Sequence, residues 1–284
     1  MATIQELQQH IRTSINQAFP EPEAGSIAQL VLEHVLQKDR LQLRLDKSAE
    51  VQPAQQEAVE QMILRLQQQE PVQYVLGTAH FYGLNLLVDD RVLIPRPETE
   101  ELVDLVLKEH QGQKGLNVLD ICTGSGCIPL ALQANMPSAK VYGLEVSEGA
   151  LEVARANAAK YDLPVEWLQA DIFAPVPGIA AGSLDIIISN PPYVLEEEKE
   201  LMRENVLQYE PHLALFVPNA DPLKFYRRIT DVALELLKKD GRLYFEINER
   251  YSQQVRKLLQ EAGFAQVRVV EDLFGKARMV TASR

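Results

Sequence analysis

Residues 118–132 read VLDICTGSGCIPLAL. Val118, Leu119 and Ile121 mark an apolar strand carrying Asp120; the chain turns through Gly124-Ser125-Gly126, and Ile128, Leu130, Ala131 and Leu132 open a helix. Strand, glycine turn and helix in that order build open parallel sheets, whose ligands bind outside the carboxyl ends of the strands. Glycine suits such a turn because a side chain would hold the backbone away from a ligand. The dinucleotide fingerprint also requires a third glycine, where Pro129 stands, and no phosphate-binding lysine follows, so a P-loop is excluded. The bland alternative for Gly-x-Gly alone is a tight turn.

Working outward, the same alternation recurs. KVYGLEV, VEWLQADI, SLDIIISN and RLYFEIN read as strands, with helical patterns such as SEGALEVARANAAKY between them. AQVRVVED and ARMVTAS add a final hairpin-like pair, expected as antiparallel strands at one edge. The chain is therefore expected to be α/β, an open and mostly parallel sheet with helices on both faces. Residues 1–75 differ: they hold 15 glutamines, no obvious strand, and apolar residues at helical spacing, which predicts a small helical domain. There Ser26 is placed as the cap of one helix after the break FPEPEAGS, and another runs from Pro53 to a stop at Pro71. Residues 76–95 read as a hairpin connector turning at Asp89-Asp90, and residues 96–284 as the α/β domain, entered by the helix PETEELVDLVLKEH.

Two acids and a turn then define a site. Glu145 ends the second strand, placed to accept from both hydroxyls of a ribose, although a helix-start acid is the plain alternative. Asp171 follows the third strand and can accept from an exocyclic adenine amine with Ile172 against the ring, or simply cap a loop. A glycine loop, a ribose acid and an adenine acid without phosphate ligands describe the shape of S-adenosylmethionine. The fourth strand ends in Asn190-Pro191-Pro192-Tyr193, where two prolines stiffen the turn and remove donors. The Asn190 side-chain oxygen and the Pro191 carbonyl suit a planar NH2 group, and the Tyr193 ring is expected to cover it. The alternative is a proline-stiffened strand end.

Composition narrows the partners. Forty acidic residues against 28 basic ones give a net charge of −12, without the broad positive field of non-specific nucleic-acid binding. Cys122 and Cys127, the two cysteines, have no second pair or histidine to complete a zinc site, so no metal is expected. No apolar run is long enough to span a bilayer and the first residues lack a secretion signal, which leaves the cytoplasm as the expected location.

PVQYVLGTAHFYGL, VLIPRPETEELV, DICTGSGCIPLAL, ISNPPYV, YEPHLALF, LYFEIN and LFGKARMV together resemble the release-factor glutamine N5-methyltransferases, the PrmC/HemK family. The resemblance implies a class I S-adenosylmethionine-dependent methyltransferase domain with a Rossmann-like, mostly parallel seven-stranded sheet, preceded by a helical substrate-recognition domain and a β-hairpin connector. It implies methylation of the glutamine in the Gly-Gly-Gln tripeptide of peptide chain release factors; a monomer that binds neither nucleic acid nor membrane is expected. Carried onto this chain, Cys122, Thr123, Gly124, Ser125 and Gly126 lie by the methionine part of the cofactor, Glu145 by the ribose, and Asp171 and Ile172 by the adenine. Asn190, Pro191, Pro192 and Tyr193 receive the amide, with Asn190 also beside the cofactor. Two departures stand out, since the family usually has glycine at Cys122 and aspartate at Glu145. Arg96 and Glu98 read either as pocket or interdomain groups or as a helix-start ion pair. The N-P-P-Y turn is shared with adenine-N6 methyltransferases, and a non-catalytic adaptor that binds nucleosides or release factor is the alternative from another class.

Overall fold

In the computed structural model, which describes residues 2–284, Ile4, Leu7, Ile11 and Ile15 recur at helical spacing and are buried along α1 (Ile4–Ile15). Around them pack α2 (Glu21–Leu36), α3 (Arg40–Leu45), α4 (Pro53–Gln67) and α5 (Val72–Leu76), with Val31, Leu32, Val59, Ile63 and Leu66 in the core. Thr3 and Asp39 cap α1 and α3 through reciprocal bonds with Glu6 and Gln42. α2 begins earlier than expected, because Pro22 in its first turn lacks only an N–H that would have had no helical partner. Ser26 is consequently inside the helix, its hydroxyl donating to the Pro22 carbonyl at 3.1 Å, and is not its cap. α4 ends at Gln67, and Pro71 opens α5 where a stop was expected.

This first unit comprises residues up to 78 and, from much later in the chain, residues 203–209. The late segment contains the short helix Glu204–Tyr209. Arg203 pairs with Glu23 at 3.0 Å, and the Tyr209 hydroxyl donates to the Gln68 carbonyl at 2.9 Å.

The second unit holds residues 79–202 and 210–284. Its hairpin, β1 (Thr78–Phe81) and β2 (Leu84–Leu87), reverses at Tyr82 and Gly83, whose φ values of 46° and 80° suit a two-residue hairpin turn. Asp89 and Asp90 are not that turn; Asp89 holds Arg91 at 2.6 Å. Buried Asn157 accepts from the Leu87 N–H and donates to the Leu87 and Ser125 carbonyls, so the hairpin is fixed beside the glycine loop.

The main elements follow as α6 (Pro97–Glu109), β3 (Asn117–Ile121), α7 (Cys127–Asn135), β4 (Lys140–Glu145), α8 (Glu148–Tyr161), β5 (Val165–Gln169), β6 (Leu184–Ser189), α9 (Lys224–Leu236), β7 (Leu237–Glu246), α10 (Ser252–Glu261), β8 (Ala265–Glu271) and β9 (Ala277–Ser283). The seven-stranded sheet has the order β8-β9-β7-β6-β3-β4-β5. β9 alone is antiparallel to its neighbours, pairing with β7 and β8. Alternate strand residues feed two cores: Leu119, Ile121, Ile187, Leu243 and Phe245 on one face, Val118, Ile186, Ile188 and Tyr244 on the other. From β3 the chain moves to β4 and β5 on one side, then returns to β6 on the other. That reversal opens a crevice at the carboxyl ends of β3 and β6, which brings the glycine loop beside Asn190.

Candidate active site

The crevice is a cavity of about 300 Å³, the lower end of ordinary ligand pockets. Of the residues singled out from the sequence, Cys122, Gly124, Glu145, Asp171, Ile172, Asn190 and Pro192 line it together. Thr123, Ser125, Gly126, Pro191 and Tyr193 do not. A wider depression of about 810 Å³ around His110 and Pro137 lies at the opposite, amino ends of β3 and β4, away from these groups.

The glycine loop is held from below. Thr123 is buried and its hydroxyl donates to Asp120 at 2.5 Å. Asp120 is fully buried, its second oxygen has no partner among the described residues, and burial pushes its carboxyl well above the usual range. Gly126 has φ +80°, and a β-carbon there would come within 2.8 Å of the Trp167 ring. Gly126 is therefore required by packing as well as by the turn. Cys122 adopts φ +64°, a left-handed conformation that glycine tolerates and other residues hold at a cost of about 1–2 kcal/mol. This gives a backbone reason for the glycine expected there from the resemblance. Burial, with the charges of Glu145, Asp120 and Asp171, pushes the Cys122 thiol up, so it stays protonated; burial likewise pushes Cys127 to about 12.

Glu145 binds the loop it serves. One oxygen accepts from the Val146 and Ser147 N–H groups at 2.9 and 3.1 Å, the other from Gly124 at 3.1 Å. A carboxylate has about four acceptor positions, which leaves room for hydroxyl donors from the cavity. Asp171 uses one oxygen to cap its own loop, accepting from Phe173 at 2.9 Å, and its other oxygen has no partner among the described residues. Phe173 and Phe225, which the sequence reading passed over, also line the cavity and meet edge-to-face at 5.2 Å. ADIFA carried the signal: an aromatic beside an apolar residue just past a strand end.

At the other end of the crevice stands Asn190, immediately beyond β6. Its Nδ2 donates to Thr99 Oγ1 at 3.1 Å, and Thr99 Oγ1 donates to Glu246 Oε2 at 2.6 Å. The Tyr193 hydroxyl donates to Glu246 Oε1 at 3.0 Å. The Tyr193 hydroxyl is thus tied to Glu246, and the ring, expected to cover a bound group, does not line the cavity. Burial raises the Glu246 carboxyl above 4.5, opposed by these two hydroxyl donors. Thr99 and Glu246 were missed, although a carboxylate closing the apolar strand RLYFE was a visible signal. Arg96 is no cavity residue: it meets the buried Glu210 at 2.5 Å, and Glu210 also accepts from the Ile94 N–H. That pair joins IPRPETE to YEPHLALF.

Residues 6–77 match the family described as the PrmC N-terminal domain, and residues 99–213 match the methyltransferase small domain. A release factor glutamine methyltransferase of Bacteroides thetaiotaomicron is 46% identical over 275 residues, spanning 97% of this chain and 98% of that protein. The chain belongs to the release factor glutamine methyltransferase family. A second relative of that name, from Flavobacterium psychrophilum, is 40% identical over 92% of each chain. Among solved structures, a methyltransferase from Pyrococcus furiosus shares the fold at 19% identity, with a TM-score of 0.52 over 71% of this chain and 89% of that one. As a member of this family the chain is an enzyme with a methyltransferase fold, and the crevice at β3 and β6 is where its chemistry is to be sought.

Proposed function

We propose that this methyltransferase transfers a methyl group from S-adenosylmethionine to the side-chain N5 of the glutamine in the Gly-Gly-Gln tripeptide of peptide chain release factors. One observation carries the reading: Asn190, at the carboxyl end of β6 and beside a nucleoside-sized cavity, has an amide oxygen with no partner among the described residues.

The residues present fit the cofactor. Glu145 has acceptor positions for ribose hydroxyls, Asp171 a free oxygen for an adenine amine, and Ile172 with Phe173 an apolar wall for its ring. The glycine loop would let backbone approach the methionine part closely. S-adenosylmethionine supplies a methyl group on a positively charged sulfonium. Asn190 Oδ1 and the Pro191 carbonyl each accept one hydrogen of the glutamine NH2, which aims the nitrogen lone pair and holds it at attack distance. The same two oxygens would stabilise the positive charge growing on nitrogen as the N–CH3 bond forms and the S–CH3 bond breaks; S-adenosylhomocysteine leaves and the nitrogen gives up one proton to solvent. Pro192 keeps the turn rigid, so the acceptors are in place before substrate arrives.

The net charge of −12 favours a protein substrate over DNA. We take the enzyme to act as a monomer in the cytoplasm; among the described residues no helix is long and apolar enough to cross a membrane. Tritiated cofactor offered with purified release factor, its Gly-Gly-Ala version, and DNA tests the assignment. Label is expected on the first alone, and label on DNA with none on release factor overturns it. Asn190→Ala is expected to bind cofactor normally and to lose transfer by at least a hundredfold, on the order found when one charge-stabilising group is removed.

A further inference from the structure

We propose that Thr99, anchored by Glu246, is a positioning residue for methyl transfer: it fixes the Asn190 amide so that its oxygen, and not its nitrogen, faces the crevice. The proposal rests on the function proposed above.

The direction of each hydrogen bond follows from donor count. Glu246 ends β7, and the parallel pairing of Ser189 with Phe245 puts it level with Asn190 at the end of the adjacent strand β6. It is 1% exposed, and its oxygens meet two hydroxyls, Thr99 at 2.6 Å and Tyr193 at 3.0 Å. With Glu246 in its ionised form, which both hydroxyl donors favour, its oxygens only accept, so the single hydroxyl proton of Thr99 is committed to Glu246. Thr99 Oγ1 then has only lone pairs left for its other neighbour, 3.1 Å away. That neighbour must be the N–H-bearing end of the amide. Turning the Asn190 amide over would set oxygen against oxygen, so Oδ1 is held facing the opposite way. Thr99 is 2% exposed and sits in the first turn of α6, yet its hydroxyl reaches a residue 147 positions away. Without that hydroxyl both amide orientations are comparable, and one of them offers N–H donors to a substrate NH2.

Single-turnover transfer to purified release factor tests this. Thr99→Val keeps the shape and removes the hydroxyl; transfer is expected to slow about ten- to a hundredfold, with affinity for S-adenosylhomocysteine within about twofold of wild type by calorimetry. Thr99→Ser is expected to restore most of the rate, and Thr99→Ala stands in if the valine variant does not fold. In an Asn190→Ala background, Thr99→Val is expected to cost nothing more, because its effect runs through that amide. A Thr99→Val enzyme transferring within about twofold of wild type overturns the proposal, as does an equal loss in the Asn190→Ala background. Wild-type enzyme that leaves release factor unlabelled overturns instead the functional reading beneath it.

Discussion

Gly143 lies in β4 directly under the only tryptophan of the chain. A β-carbon at 143 would sit 2.6 and 2.7 Å from Cζ3 and Cε3 of Trp167 and 3.1 Å from Thr123 Oγ1. Real carbon contacts do not approach so closely, so Gly143→Ala must push the indole outward or part β4 from β5. Overpacking of this kind costs about 1–3 kcal/mol. Replacing a strand glycine by alanine returns about 0.5–1 kcal/mol of backbone entropy. The balance is a loss of about 1–2 kcal/mol, or roughly 2–3 °C in Tm at this size. Calorimetry measures the loss, and tryptophan emission reports on one known ring, which must shift if the ring moves. Adding Trp167→Phe, which removes the clashing atoms, is expected to recover part of the Tm. A Gly143→Ala protein with unchanged Tm and unchanged emission refutes the tight packing of the indole on this glycine.

Two further outcomes follow from buried polar groups. Arg96→Ala leaves the carboxylate of Glu210, whose side chain is 1% exposed, without its cation; the loss is expected at about 3 kcal/mol in urea unfolding, and Glu210→Gln should cost less. His110 is buried against the Tyr244 hydroxyl at 2.9 Å, and burial lowers its pKa below 6.5. The folded state therefore favours the neutral ring: the stability is fully present above pH 6.5 and is lost as pH falls through the depressed value. Urea midpoints measured from about pH 8 down to pH 5 should show this decline, and His110→Gln should flatten it.

Much of this was legible in the chain because strand and helix periods are local. The run VLDICTGSGCIPLAL fixed a strand, a turn and a helix within fifteen letters, and the alternation after it predicted the sheet and its antiparallel edge. The hairpin turn was misplaced because Tyr82 is an unusual residue at positive φ; its N–H bond to Glu100 at 2.6 Å, contributed by α6, helps hold it there. Asp171 was ambiguous between ligand and loop cap, and the structure has it capping its loop with one oxygen while the residue lines the cavity. The support beneath Asn190 was out of reach for a different reason. Thr99 and Glu246 meet only after the sheet assembles, and neither residue carries a local pattern that names the other.

The return of residues 203–209 to the first unit also constrains the order of events during synthesis. At a ribosome adding about 5–20 residues per second, Gln68 waits on the order of ten seconds or more for its partner Tyr209 to be made. The helical unit thus cannot reach its final set of contacts as it emerges, and its completion is postponed until the N-P-P-Y strand end has already been translated. Cutting the chain near residue 78 would accordingly yield a helical fragment missing part of itself. A circular permutant opened there keeps every segment, and is the safer way to ask how much each unit folds alone.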